Sequence, residues 1–92
     1  MKIVWSRRAI AHLRNLRDYI ARDSPDSAAD VAQRILAAVA NLGTYPNLGR
    51  AGRISGTREL VIPGTPYVIP YRIRGSRVEL IAVFHGRQRW PD

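Results

Sequence analysis

His85, Arg87 and Arg58 are the residues of this sequence whose types suit chemistry on a phosphate group. A histidine can give or take a proton near neutral pH, and an arginine can stabilise the charge of a phosphorane-like transition state. His85 closes the last predicted strand, Arg87 follows it, and Arg58 opens the second predicted strand. Because the ends of neighbouring strands can be neighbours in space, we predict that the three residues share a cleft. This is in principle a metal-free ribonuclease site, although residue types alone favour a structural histidine beside solvated arginines.

No other catalytic signature is present in the sequence. It contains no G-x-S-x-G, no phosphate-binding loop and no H-E-x-x-H zinc motif. The absence of cysteine excludes disulfides and thiolate zinc sites, and two histidines are too few for a histidine-rich metal site. Glu59 and Glu79 fall on different predicted strands and do not form a recognisable acid–base pair. We therefore expect neither a metal nor a cofactor.

The charge of the chain indicates the chemistry of its partner. Fifteen basic side chains stand against seven acidic ones, which gives a net charge of +8, and fourteen of the fifteen are arginine. Because a guanidinium is a planar fork of donors that suits phosphate and carboxylate, we expect an anionic partner, either nucleic acid or an acidic protein. A codon bias toward arginine combined with a solvated surface would give the same excess. Residues 50–92 are the more basic half, with eight basic and three acidic groups and a net charge of +5.

Four further residues are candidates for binding a target. Arg50 and Arg53 lie in a stretch rich in glycine, residues 43–56, which we predict to be a long loop. Arg89 and Trp90 lie in the tail, where an aromatic ring beside arginines can stack on bases or simply pack the tail against the sheet. We predict that Trp5 belongs to the core. His12, among basic residues on a helix, is predicted to be a surface residue.

The length and composition predict one domain that spans residues 1–92. Apolar residues make up 46% of the chain, which is typical of a folded domain and too high for a disordered one. No apolar run approaches the roughly 20 residues of a membrane span. The first residues lack the apolar block of a secretory signal. We therefore expect a cytoplasmic protein without a membrane partner.

Two helices are predicted in the first half of the chain. Ser6 is a suitable N-cap for a helix over residues 6–22, in which apolar residues recur at intervals of three and four. Ser24 and Pro25 begin a second helix over residues 25–42, which Gly43 is expected to end. Because the link between them is so short, the helices must fold back as an antiparallel hairpin.

Four strands complete the predicted fold, which is α+β with the order βααβββ. They cover residues 2–5, 58–62, 67–73 and 78–85. Short turns between the last three strands predict an antiparallel sheet, with the N-terminal helical hairpin packed on one face. Pro70 conflicts with this assignment, because a proline cannot donate a hydrogen bond to its neighbour and belongs at an edge or a bulge.

Residues 56–62, 65–73 and 78–87, which end in Val-Phe-His-Gly-Arg, resemble the RelE/ParE toxin superfamily. The first half agrees, with a short strand, a helical hairpin and the segment Tyr-Pro-Asn-Leu-Gly at residues 45–49. The resemblance covers nearly the whole chain. It implies the toxin of a type II toxin–antitoxin module, neutralised by a cognate antitoxin that is often acidic where it binds and that wraps the toxin across its sheet and helices.

The superfamily divides by target. RelE-like members cleave messenger RNA on the translating ribosome without metal, and ParE-like members inhibit DNA gyrase without being enzymes. Val68 stands where such nucleases place an arginine, and no tyrosine follows Arg87, so the sequence departs from the nuclease pattern. Arg58, His85 and Arg87 match basic or histidine positions of some nuclease members.

The long helical hairpin and the Tyr45-Pro46 loop look more like ParE. The resemblance therefore favours gyrase inhibition over RNA cleavage. A third alternative is an inactive toxin that only binds its antitoxin.

Overall fold

The computed structural model describes residues 1–88, and within them two helices and six strands follow one another in the predicted α+β order. The elements are β1 (Lys2–Trp5), α1 (Arg7–Ala21), α2 (Pro25–Thr44), β2 (Arg50–Ala51), β3 (Arg58–Val61), β4 (Tyr67–Arg74), β5 (Arg77–Leu80) and β6 (Phe84–His85). None of the helices in this part of the chain is long and apolar enough to cross a membrane.

The sheet has the strand order β1-β5-β4-β3-β2, and β6 pairs with β4. Strands β3, β4 and β5 form the predicted antiparallel meander. The predicted antiparallel sheet has one parallel pairing among the described strands, since β1 runs parallel to β5 with Ile3 opposite Val78. Short turns fix the direction only of strands that follow one another in sequence. No such turn joins β1 to β5, because both helices and strands β2 to β4 lie between them in the sequence.

The last predicted strand is interrupted, and Pro70 lies at the interruption. Leu80 ends β5 and Phe84 begins β6, so residues 81–83 are not part of either strand. The carbonyl of Pro70 accepts a hydrogen bond from the N–H of Ile81, at 2.9 Å. Because the N–H and C=O of a strand residue point to the same side, the N–H that proline lacks would face this break rather than β3. The interior strand therefore tolerates the proline.

The core lies between the helical hairpin and one face of the sheet. Its buried cluster comprises Ala9, Ile35, Val39 and Leu42 of the helices, Leu60, Ile69, Tyr71, Val78 and Leu80 of the strands, and Ile62 and Val83, which follow β3 and β5. Trp5 packs against this cluster as predicted. Burying one valine, leucine or isoleucine side chain contributes about 1.5–3 kcal/mol to the free energy of unfolding. The spacing of apolar residues in the helices therefore correctly predicted which face is buried.

The segment after the second helix differs from the predicted loop. Helix α2 continues to Thr44, and Gly43 lies inside its last turn rather than ending it. A Cβ atom on Gly43 would lie 3.1 Å from the carbonyl oxygen of Met1, whose N-terminal ammonium donates a hydrogen bond to Gly43. The glycine therefore allows the start of the chain to pass close to the helix. Residues 50–51 form β2, the short edge strand that pairs with β3.

Ser6 and Ser24 cap the two helices as predicted. The hydroxyl of Ser24 accepts a hydrogen bond from the N–H of Ser27, and that of Ser6 accepts one from the N–H of Ala9, at 3.0 Å. The Ser6 hydroxyl also donates to the carbonyl of Ile81, at 2.9 Å. Ser6 thus joins the start of α1 to the interruption that follows β5.

Replacing Ser6 by alanine is expected to destabilise the protein more than replacing Ser24. Loss of an N-cap costs about 1 kcal/mol. Ser6→Ala also leaves the Ile81 carbonyl without this donor, so we expect a total loss of about 2 kcal/mol against about 1 kcal/mol for Ser24→Ala. Urea denaturation of both variants measures the difference. Equal losses would show that the bond to Ile81 adds nothing.

Candidate functional site

Arg58 is placed by β3 beside the loop that follows α2. Its Nη1 donates hydrogen bonds to the carbonyl oxygens of Gly49 and Asn47, at 2.8 and 3.3 Å. The side chain is half-buried. The guanidinium therefore holds the loop, which is a structural role that its position at a strand start did not indicate.

His85 and Arg87 lie together after β6. The Nδ1 atom of His85 accepts a hydrogen bond from the backbone N–H of Arg87, at 3.2 Å, and the His85 and Tyr67 rings make a T-shaped contact with centroids 6.0 Å apart. Both residues are exposed. Because Nδ1 is an acceptor, the neutral ring carries its proton on Nε2. The bond holds the exposed imidazole of His85 against the backbone of an exposed arginine.

The structure does not form the predicted cleft of three residues. Arg58 lies opposite Tyr71 on β4, whereas His85 lies opposite Tyr67. Four residues along a strand separate the two positions, a span of about 13 Å. They also line different cavities, since Arg58 shares one with Arg72 and His85 shares another with His12 and Tyr19. Any chemistry at His85 therefore proceeds without Arg58.

His12 is not the surface residue that the sequence suggested. It is half-buried, and its Nδ1 accepts a hydrogen bond from the N–H of Val83, at 3.1 Å. Its ring lies 5.3 Å from that of Phe84. Position 12 is three residues after Ala9 and four before Leu16, so it borders the apolar stripe of α1, a signal that could have located it. His12 therefore holds Val83 and Phe84, which precede His85, against helix α1.

Acidification is expected to weaken the fold through His12. Burial, and then the positive charge of Arg8, lowers the pKa of His12 from its ordinary value of 6.5. Below that pH the unfolded chain binds a proton that the folded chain resists, so the free energy of unfolding falls as the pH falls, by at most about 1.4 kcal/mol per pH unit.

Urea denaturation between pH 7.5 and about 5.5, above the ordinary pKa values of the carboxylates, measures this loss. His12→Asn keeps an acceptor for Val83 but does not titrate, and it is expected to flatten the profile. An unchanged slope in that variant would assign the loss to other groups.

Arg50 and Arg53 converge on a residue that the sequence analysis did not select. Glu59 is 2% exposed, and its Oε1 lies 3.2 Å from Nη2 of Arg50. Its Oε2 accepts a hydrogen bond from the backbone N–H of Arg53 at 2.9 Å and lies 3.5 Å from Nε of the same residue. Both guanidinium groups remain partly exposed. A buried carboxylate thus positions the two arginines that were predicted to bind a target.

Tyr71 holds the preceding part of the same loop. Its hydroxyl accepts a hydrogen bond from the N–H of Gly49, at 2.8 Å, and donates one to the carbonyl of Pro46, at 2.7 Å. Burial raises the pKa of Tyr71, so the hydroxyl keeps the proton that it donates. A Cβ atom on Gly49 would lie 2.6 Å from the Tyr71 ring, so a residue with a side chain would not fit at position 49. The loop is therefore held in one conformation.

A groove lies beside this loop, between α2 and β3. Its volume is about 570 Å³, and it is lined by Arg34, Ala37, Ala38, Asn41, Leu48, Arg50, Glu59, Leu60, Val61 and Pro63. Leu48 is 55% exposed and Val61 is 47% exposed, so the groove presents apolar side chains to solvent. Two arginines line the groove, so it suits an apolar segment with acidic flanks.

Two predicted binding residues, Arg89 and Trp90, lie outside the described residues. The remaining candidates separate into the His85–Arg87 pair and the loop held by Glu59.

The family model described as "ParE toxin of type II toxin-antitoxin system, parDE" matches residues 3–90. The chain belongs to this family. It is a type II toxin, and membership implies a cognate antitoxin as its partner.

Individual relatives agree with this assignment. A protein of Sinorhizobium fredii that carries the toxin name Y4kP is 49% identical over 91 residues, covering 99% of this chain and 94% of the relative. Toxin RelE2 of Caulobacter vibrioides is 36% identical over 92% of this chain and 94% of its own length. A solved chain titled "Chromosomal ParDE TA system from P. aeruginosa" superposes with a TM-score of 0.85 at 27% identity, covering 92% of this chain and 95% of the solved one.

Proposed function

We propose that this toxin arrests growth by inhibiting DNA gyrase in the cytoplasm, acting as a single domain over residues 1–92. The separation of Arg58 from His85 carries the proposal. The predicted metal-free ribonuclease site needs Arg58, His85 and Arg87 around one phosphate, with the histidine as proton donor and the arginines as charge stabilisers. Arg58 instead binds the carbonyl oxygens of Asn47 and Gly49. The match to the ParE family model supports the same target.

The surface that contacts gyrase is proposed to centre on Arg87 and His85, continued by Arg89 and Trp90. Arginine and tryptophan are enriched among the interface residues that dominate binding energy. Arg50 and Arg53 are proposed as a second contact, because the buried carboxylate of Glu59 fixes their position.

The second candidate function is cleavage of messenger RNA on the ribosome. The contact of His85 with the backbone of Arg87 favours it, since an exposed imidazole can transfer a proton at a phosphate that an exposed arginine of the same turn binds. The name of the relative RelE2 points the same way. In that case His85 is the general acid and Arg87 stabilises the transition state, while Arg58 acts only through the loop.

Purified components separate the two functions. The toxin is added to gyrase supercoiling relaxed plasmid, and separately to ribosomes translating a messenger whose ends are mapped by primer extension. Loss of supercoiling with intact messenger supports the proposal, and codon-positioned cuts with normal supercoiling overturn it in favour of the nuclease. In cells, thymidine incorporation should fall before methionine incorporation. If neither assay responds, the chain is an inactive toxin that only binds antitoxin.

The variants Arg87→Ala and His85→Ala are expected to differ in a way that identifies the mechanism. As a binding residue, Arg87 should account for about 2 kcal/mol, so its loss weakens gyrase inhibition about 30-fold, and His85→Ala has a smaller effect. For a nuclease, loss of the proton donor His85 reduces cleavage by about 100- to 10,000-fold. Arg14→Ala, an exposed change on α1, is the control. A large effect of His85→Ala with a small effect of Arg87→Ala would contradict the binding role.

The antitoxin is proposed to occupy the groove between α2 and β3 with an apolar segment. The exposed side chains of Leu48 and Val61 supply the contact area. Arg34 and Arg50 line the same groove and can pair with acidic residues of the antitoxin. The groove shares no lining residue with the cavity beside His85, so an antitoxin bound there would cover the second target contact at Arg50 and leave the surface around His85 open.

A further inference from the structure

Three cations lie side by side across three neighbouring strands at one end of the sheet. Lys2 on β1 is paired with Arg77 on β5, and Arg77 is paired with Arg74 on β4. Their neighbours Ile3 and Val78 belong to the core, so these three side chains stand on the opposite face of the sheet. All three are exposed. We call Lys2, Arg77 and Arg74 the cation row.

Within the cation row, positive side chains face each other across neighbouring strands, and few acidic side chains offset their charge. Like charges directly opposite each other destabilise a sheet. One carboxylate, that of Glu79, lies 3.7 Å from both Arg74 and Arg77, and 3.9 Å from Arg72 in the next row. These four basic residues and one acidic residue leave a net charge of +3 on this part of the face. An arrangement that costs stability without serving the core suits a function in binding.

We propose that the cation row binds the phosphate backbone of nucleic acid. Neighbouring strands are about 4.8 Å apart, so the row spans about 10 Å, enough for consecutive phosphates of one strand. Arginine donates to phosphate through a planar fork, and lysine binds it as a point charge. The side-chain pairs with Glu79 are long and half-exposed, so a phosphate can replace them.

Nucleic acid fits this row better than an acidic protein. Protein interfaces depend on central apolar or aromatic anchors, whereas phosphate contacts need only charge and donors. The row itself presents no apolar side chain, and the Gly75–Ser76 turn lies beside it. The apolar groove that suits a protein partner is elsewhere, against α2. The proposal does not depend on whether gyrase or the ribosome is the target.

Binding of the purified toxin to a short fluorescent DNA duplex of mixed sequence tests the proposal. The variant Arg74→Gln/Arg77→Gln is compared with Arg14→Gln/Arg17→Gln, which removes the same charge from exposed positions of α1. Affinity is measured between about 50 and 200 mM salt. Each lost phosphate contact lowers the slope of log K against log salt by about 0.9, so the row variant should lose about 1.8 and bind at least about tenfold more weakly near 100 mM salt. The helix variant should change by less than about threefold.

Thermal unfolding checks that the row variant is folded, since relief of the opposed charges should keep its Tm within about 4 °C of that of the wild type. If it unfolds, Arg74→Lys/Arg77→Lys keeps the charge and is expected to bind within about threefold of wild type, while each single glutamine variant loses about 0.9 of slope. Equal effects of the row and helix variants would overturn the proposal, as would absence of wild-type binding near 50 mM salt. Loss of antitoxin affinity with unchanged DNA binding would assign the row to an acidic protein instead.

Discussion

Replacing Arg50 and Arg53 together by alanine is expected to destabilise the toxin by about 3 kcal/mol, with a fall in Tm of roughly 15 °C. The reason is Glu59, whose carboxylate is 2% exposed and depends on these two guanidinium groups. A buried charge that loses its partners costs much more than an exposed ion pair contributes. Thermal and urea unfolding of the double variant measure the loss.

A third substitution tests the cause of that loss. Glu59→Gln removes the charge and keeps an oxygen that can accept the N–H of Arg53. In the background of the double alanine variant it is expected to restore most of the lost stability, because no buried charge remains unpaired. If the triple variant is as unstable as the double variant, the arginines stabilise the loop by other contacts and the role given to Glu59 is wrong.

The same variants separate folding from target recognition. Loss of toxicity in the double alanine variant alone would not distinguish an unfolded toxin from one that has lost its contacts. The triple variant is expected to fold, so its toxicity reports only on the binding roles proposed for Arg50 and Arg53. Full toxicity of the folded triple variant would remove both residues from the proposed target surface.

The parts of the fold that local chemistry determines were predictable from the sequence. Ser6 and Ser24 are residues whose hydroxyls satisfy the free N–H groups of a helix start, and both cap a helix. The spacing of apolar residues located the buried helix faces. The parallel pairing of β1 with β5 was not predictable, because it joins segments about 75 residues apart and no turn determines it.

The site was less predictable than the fold, because its side chains act through contacts with distant segments. The charge of Arg58 suggests chemistry, but its Nη1 is engaged by carbonyl groups of a loop about ten residues earlier. In the sequence Glu59 is one of two carboxylates on separate strands, whereas in the structure its burial makes it the centre of the Arg50–Arg53 loop. Residue type and spacing reveal which groups can do chemistry, and only the tertiary contacts show which of them are already engaged.

Filling the groove between α2 and β3 is expected to separate neutralisation from toxicity. Ala37 is exposed on α2 and lines the groove, so Ala37→Trp places a large ring where the antitoxin is proposed to lie, without disturbing the core. We expect antitoxin affinity to fall by about 2 kcal/mol or more, which is about 30-fold, as for the loss of a central interface contact. Titration calorimetry with the purified antitoxin measures the change.

Ala29→Trp is the matched control, because Ala29 is exposed on the same helix but does not line the groove. Both changes replace alanine by tryptophan in the same helix and therefore lower its helix propensity by the same small amount. Any difference in antitoxin binding then comes from the groove. Because the main target surface around His85 shares no residue with the groove, and the change leaves Arg50 in place, the Ala37 variant should remain toxic and should inhibit growth even when antitoxin is co-expressed. Normal neutralisation of that variant, with affinity within about threefold of wild type, would place the antitoxin on another surface, and loss of toxicity without loss of affinity would place the target in the groove.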